Sequence, residues 1–246
     1  MTTYMAGRAI LNAAEDAIKQ LLYVGSIALR CPIDDLDFEN ERVYVKNDPD
    51  IYLAFKDIVH GYKYQNGNSV AGPIIGRGNF IMYKLTIPNP ETGKGATGRS
   101  WTVGAQAVEI EYDTVQHTYR LLKAATVIDA GKVLNPKTAK GVVMGGMCMG
   151  LGQGTSEEFI YDETGVVQNT SFRTYKMLRY GEPPDYLVEF VETPQIDAPF
   201  GARGIAEHGI IAIPAALANA VSLAAKIDIE QIPIIPEYIW RKKLEL

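Results

Sequence analysis

The sequence predicts an α+β fold, with helices packed on largely antiparallel or mixed sheets. Three observations carry that expectation. Ile10, Ala14, Ala17, Ile18, Leu21 and Leu22 recur at three- and four-residue steps within 6–28, the spacing of one face of an amphipathic helix. The runs WTVGAQAVEIEYD (101–113) and HTYRLLKAATVID (117–129) are extended and joined by a short turn, which predicts an antiparallel hairpin. Asn135 followed by Pro136 places a capping side chain and then a residue with a helical φ at the start of a second helix.

The remaining elements follow in chain order. Cys31-Pro32 ends the first helix, ERVYVK (41–46) alternates like a strand, and AFKDIVHGY is a short helix stopped by Gly61. From Tyr62 to Ser100 glycine, proline and asparagine dominate, and a structureless stretch this long is usually functional or mobile. The helix from Pro136 is odd, because Gly141, Gly145, Gly146, Gly150, Gly152 and Gly154 lie in its body. Each weakens a helix by roughly 1 kcal/mol relative to alanine, so something must approach that backbone closely. Strands are expected at EEFIYD and YLVEFVE, with Asp162–Gly165 as a turn between the first of these and VVQNT. Residues 213–226 read as a helix that tolerates Pro214 in its first turn, and the chain closes with IEQIPIIPEYIW.

Composition excludes several function classes. A net charge of −5 with scattered lysines and arginines argues against a nucleic-acid groove, which needs a concentrated basic footprint. No apolar run approaches the ~20 residues of a membrane span, and the start of the chain lacks a basic-then-apolar signal pattern, so the expected location is the cytoplasm. Two cysteines, Cys31 and Cys148, are too few for a disulfide framework or a four-thiolate iron–sulfur cluster. Three histidines without ligand spacing argue against a zinc or iron site, so no metal is expected on this chain's own side chains. Any redox chemistry must come from something bound.

Nucleotide motifs fail on inspection. No glycine opens NPETGKGA, and Gly95 stands where a P-loop needs a hydroxyl. GLGQG (150–154) lies late in a helix, where its amides would not face a pyrophosphate. Two readings of the glycine-rich helix stay open: packing on a neighbouring element, or approach of a ligand. The stretch GARGIAEHG (201–209) holds three glycines and a carboxylate, Glu207, directly ahead of an apolar helix. A carboxylate fixed near apolar surface without a lysine nearby is suited to act as a general base. Arg203 is expected to satisfy loop carbonyls, and His208 to pack.

Four stretches in order carry a resemblance: RSWTVGAQAVEIEYD, VIDAGKVLNPKTAKGVVMGGMCMGLGQGTSEEFIYDETG, FRTYKMLRYGEPPDYLVEFVETP and GARGIAEHGIIAIPAALANAV. They resemble the C-terminal part of the molybdopterin-binding subunit of the xanthine dehydrogenase, aldehyde oxidase and carbon monoxide dehydrogenase family, and TTYMAGRAILNAAEDAIKQLL resembles the helix that opens that part. The resemblance implies a molybdenum–molybdopterin (pyranopterin dithiolene) cofactor and a loop glutamate, aligned with Glu207, that takes a proton as water-derived oxygen is inserted into a nitrogen heterocycle or an aldehyde. It implies cofactor-binding positions at Gly145, Gly146, Met149, Gly150 and Gln153 on the glycine-rich helix. Met149 departs from the family pattern, replacing a glutamine; His208-Gly209 also departs, standing where two prolines are frequent.

The same resemblance implies iron–sulfur clusters and FAD on partner chains, an N-terminal half of the molybdenum subunit as partner, this chain being either one of two polypeptides that share the domain or a fragment of a longer one, and a hetero-oligomer acting on a small molecule. Residues 1–246 then form the C-terminal portion of one cofactor-binding domain, with two interleaved lobes. One lobe is the N-terminal helix through about Tyr62 with parts of the later sheet. The competing expectation is a non-catalytic scaffold or assembly protein that keeps the fold without the complete site.

Overall fold

A computed structural model describes residues 2–101 and 103–245. It divides into two compact units, residues 1–99 and 100–246.

The first unit opens with helix α1 (Thr2–Leu29), longer at both ends than its apolar periodicity indicates. Arg30 closes it in the left-handed conformation (φ 57°), and the Cys31 N–H returns to Ser26 O at 3.1 Å, ahead of Pro32. An antiparallel sheet follows: β1 (Leu36–Glu39), β2 (Arg42–Val45) and β3 (Asp48–Ala54). Only β2 was expected from the sequence. Leu21 and Val24 of α1 pack against Leu36 of β1, Val43 of β2 and Ile58 of the short helix α2 (Phe55–Ile58). Gly25 brings the helix down onto β2, since a Cβ there would lie 2.7 Å from Val43 Cγ1.

Between Tyr62 and Ser100 regular structure is limited to the two-residue strands β4 (Tyr62–Lys63) and β5 (Ser69–Val70). The segment is nonetheless attached to α1. Ile75 O accepts from Gln20 Nε2 (2.9 Å), Arg77 N–H donates to Asp16 Oδ2 (2.9 Å), and Asn79 O accepts from Asn12 Nδ2 (2.7 Å). Four helical residues rise about 6.0 Å and two extended residues about 6.6 Å, so helix positions 12, 16 and 20 meet strap positions 79, 77 and 75 nearly in step. Gly76 and Gly78 allow the contact, because a Cβ on either would run into the α1 backbone at Ala13 and Ala9.

The second unit is built on the expected hairpin. Strand β6 (Gly104–Tyr112) pairs antiparallel with β7 (Tyr119–Asp129), with a bulge between Glu109 and Ile110. Thr102, inside the predicted first strand, lies outside the described residues. Helix α3 (Pro136–Thr155) starts where the sequence places it: Thr138 N–H donates to Asn135 Oδ1 at 3.1 Å. It then crosses to β8 (Asp185–Val191), which lies parallel to β7, making the sheet mixed in the order β6-β7-β8. Helix α4 (Ile213–Ala225) matches expectation, and α5 (Pro236–Leu244) forms within the closing stretch.

The predicted strand EEFIYD is absent. Residues 157–162 contribute a single bridge, Tyr161 to Val167, because Asn169 takes up the backbone of the stretch: its amide donates to Glu158 O (2.7 Å) and accepts from Ile160 N–H (2.9 Å). The core lies between the sheet and the helices, where Ala124 and Ile128 of β7 and Val188 of β8 meet Val143, Met147 and Leu151 of α3 and Leu217 and Val221 of α4. No helix among the described residues is long and apolar enough to cross a membrane.

The cap at Asn135 is the local device that fixes where α3 begins. Asn135→Ala is expected to lower the stability of the second unit by about 1 kcal/mol, read as a shifted urea midpoint with an unchanged slope.

Candidate active site

Helix α3 presents two unlike faces. Gly146, Gly150 and Gly154 point inward with Val143, Met147 and Leu151, and all six are buried. A Cβ on Gly146 would lie 3.0 Å from Gly209 Cα, and one on Gly150 would lie 3.0 Å from Ile213 Cβ. The close approach expected at Gly146 and Gly150 is therefore real, but the backbone and side chain that make it belong to this chain's own 209–213 segment. The outward face carries Gly141, Gly145, Met149 and Gln153 at four-residue steps, all exposed. Nothing lies within 4 Å of a Cβ built on Gly141 or Gly145.

That outward stripe is the part of α3 that fits a flat, bulky group. Gly141 and Gly145, one turn apart with open space beyond each, let such a group reach the helix backbone, and the Gln153 amide can both donate and accept hydrogen bonds. Met149, 57% exposed, offers only a weak sulfur acceptor.

The loop that carries Glu207 is held against the inward face. Gly209 packs backbone to backbone on α3, where an added Cβ would run into Val143 O and lie 3.0 Å from both Gly146 Cα and Met147 N. Its glycine is required by this approach. Gly201 is required instead by its backbone, at φ 78°. Upstream, the loop is fixed to the end of β7. Gly131 bridges Ala202, the Arg203 N–H donates to Ala130 O at 3.0 Å, and the Lys132 N–H donates to Gly201 O at 2.8 Å.

Arg203 does not serve the loop carbonyls. Its guanidinium lies 3.4 Å from Asp129 Oδ2, with both side chains largely buried, and reaches Trp101 O at 3.5 Å. Asp129 Oδ1 also accepts from the N–H groups of Gly131 and Thr193, each at 3.1 Å. Burial alone would push the Asp129 carboxyl up, but the Gly131 and Thr193 hydrogen bonds, with Arg203 beside it, together hold it below the usual carboxylate range.

The Glu207 side chain is exposed. The apolar enclosure expected around its carboxylate is not supplied by the described residues, because the loop buries its backbone at Gly209 while the Glu207 side chain, two residues earlier, faces outward. His208 does pack, and is half-buried. Burial holds its imidazole below the usual histidine range, outweighing the upward pull of Glu207, with Arg203 adding to the downward shift. It is accordingly neutral at pH 7.

Sequence reasoning missed Gln106. It sits on the inward face of β6 beside the apolar positions 108, 110 and 112, and its amide reaches the loop at His208 O, Gly209 O and Ala212 N–H. A polar residue in register with an apolar strand face was the available signal. Asp129 was equally visible in the sequence, but its role depends on loop contacts that no spacing encodes.

The sequence over the mixed sheet's first two strands and the glycine-rich crossover helix matches a known domain. The chain belongs to the molybdopterin cofactor-binding domain family, whose model matches residues 1–184 and so ends short of the Glu207 loop. The 6-hydroxypseudooxynicotine dehydrogenase complex subunit gamma of Paenarthrobacter nicotinovorans is 29% identical over 252 residues, 98% of this chain and 29% of that protein. The nicotine 6-hydroxylase large subunit of the same organism is 32% identical over 141 residues, 56% of this chain and 17% of that protein. Among solved structures, quinoline 2-oxidoreductase from Pseudomonas putida 86 shares the fold over 94% of this chain and 28% of its own, with a TM-score of 0.73 at 24% identity. This chain thus spans less than a third of the length of each of these proteins.

Two outcomes test this geometry. Gly209→Ala is expected to cost about 1–3 kcal/mol, because the added methyl meets helix backbone that cannot rotate away; chemical denaturation measures it. Asp129 has its folded pKa below its unfolded value of about 3.9, so its stabilisation is present above that pH and is lost as pH falls through the folded value. Asp129→Asn should flatten the acid limb of a melting-temperature profile recorded from pH 6 to 2.

Proposed function

We propose that this chain forms part of the active site of a molybdenum hydroxylase that oxidises a nitrogen heterocycle or an aldehyde with water as the oxygen source, and that Glu207 is its general base. The observation that carries the reading is the docking of Gly209 on Gly146. That contact lies two residues from Glu207, the one carboxylate of the 201–209 loop, and on a helix whose other face lacks side chains at Gly141 and Gly145.

In this reading a molybdenum–pterin group supplies the two-electron redox chemistry when bound. The chain's own residues do the rest. Gly145 would leave room for the group against α3, the Gln153 amide would hydrogen-bond to it, and Met149 would offer it only a weak sulfur acceptor. Gly146 and Gly150 act one step removed, by letting the 209–213 segment close on the helix. Glu207 would take up a proton on a carboxylate oxygen, and the enclosure of its exposed side chain would have to come from groups other than the described residues. His208, neutral and packed, leaves Glu207 as the only acid–base group that the loop directs outward.

The names of the two relatives, 6-hydroxypseudooxynicotine dehydrogenase and nicotine 6-hydroxylase, favour the heterocycle. Electrons would leave through iron–sulfur clusters and FAD on partner chains, since Cys31 and Cys148 are the only cysteines here. The remaining wall of the site would come from sequence corresponding to the rest of those longer proteins.

Glu207→Gln in the assembled complex is expected to lower turnover by about 10²–10⁴-fold, the range for losing a general base, with molybdenum and pterin content unchanged. Turnover at the wild-type rate would refute the assignment.

A further inference from the structure

We propose that Gln106 is a positioning residue for the Glu207 loop. It would tie the end of the loop to the sheet, so that the carboxylate is held in place from a strand and not by the loop itself. The inference rests on the reading of Glu207 as the base.

The loop's own hydrogen bonds are long: His208 N–H to Ile205 O and Ile210 N–H to Glu207 O are each 3.3 Å. They are marginal by ordinary amide geometry and do not fix a side chain. Its firm attachments lie at its two ends. Upstream, Arg203 is anchored at Ala130 and Asp129. Downstream, Gln106 makes three polar contacts with the loop and the residue that follows it. Its Nε2 donates to Gly209 O at 3.0 Å and reaches His208 O at 3.2 Å, while its Oε1 accepts from the Ala212 N–H at 2.7 Å.

Ala212 is the residue that leads into α4, and no side chain of the helix caps it. The strand amide thus satisfies a donor that the start of the helix leaves unpaired. Its two N–H bonds serve three acceptors, Thr126 Oγ1, Gly209 O and His208 O, so the two loop carbonyls share one of them. Only a primary amide of this length can donate to carbonyls on one side and accept an N–H on the other. The amide is itself oriented by buried Thr126 on β7, whose Oγ1 lies 2.6 Å from Nε2. Gln106 pairs with Thr126 across the β6–β7 ladder, so the anchor stands on two hydrogen-bonded strands.

The chemistry predicts which replacements fail. Gln106→Glu keeps the length but sets carboxylate oxygens against the two carbonyls. Gln106→Met keeps the length and removes all the bonds. In the assembled complex, either variant should raise amide exchange at 208–212 by roughly tenfold, as expected when a local hydrogen-bonded anchor is lost, while exchange in the buried part of α4 is unchanged. Turnover should fall by about 10–100-fold, the scale of a 1 Å misplacement, with KM and molybdenum content nearly unchanged.

Faster exchange at 208–212 with wild-type kcat would overturn the positioning role. So would exchange that does not change. Failure of Gln106→Met to assemble, with loss of protection throughout α4, would show Gln106 to be part of the core and would also overturn it. Exchange is read independently of turnover. If Glu207→Gln stays active while the Gln106 variants loosen the loop, the base assignment has failed and the anchor stands.

Discussion

The second unit is organised around the contact between the backbone of Gly209 and the backbone of α3 at Val143, Gly146 and Met147. Two main chains approach this closely only where no side chain stands between them, here at Gly209 and Gly146, and the cost appears in the helix. Six glycines in twenty residues make α3 a poor helix by intrinsic preference. It persists because Val143, Met147 and Leu151 are fully buried against α4 and the sheet, and because tertiary burial outweighs propensity in most protein helices. The inward glycines then serve contacts within the chain, at the loop and at α4. The outward ones at 141 and 145 serve nothing among the described residues, and this asymmetry separates scaffold from candidate cofactor surface.

A loop docked through glycine gains little apolar burial, so polar attachments hold its ends. Asp129 gathers two backbone N–H groups and a guanidinium at the end of β7, and Gln106 gathers two carbonyls and one N–H at the entrance to α4. Both are largely satisfied polar centres in partly buried surroundings, where an unmet partner would cost about 1–3 kcal/mol. Between them the chain turns Glu207 outward. Under the proposed function, an exposed carboxylate on an anchored backbone suits a base that is enclosed only when other groups bind, because its orientation is set in advance.

The first unit solves a different problem with similar means. The irregular stretch after Gly61 reads as a long unstructured loop, yet residues 75–79 lie along α1 through a ladder of side-chain bonds to the strap backbone. The ladder works because the repeat of a helix over four residues nearly equals that of an extended chain over two. Each rung comes from a polar residue that a hydrophobic-periodicity reading treats as a solvent-facing position.

What the sequence by itself determined is what local chemistry dictates: the helical state of α1, the β6–β7 hairpin, the capped start of α3 at Asn135, helix α4, and the association of Glu207 with a glycine-constrained loop. Of the apolar face expected on α1, Ile10 and Ala14 are exposed, and side-chain burial is confined to the end of the helix at Leu21 and Val24. Family membership was legible too, because four ordered motifs survive in sequence. Tertiary structure alone decided the rest. Strand β8 runs parallel to β7 because α3 crosses between them, and 157–162 is not a strand because Asn169 captures its backbone. Gly146 and Gly150 face the chain itself while Gly145, Met149 and Gln153 face outward, a division set by the rotation of the helix against the sheet. Gln106, Asp129 and Arg203 matter through partners up to 106 positions away, and contacts of that range leave no spacing for a sequence to display.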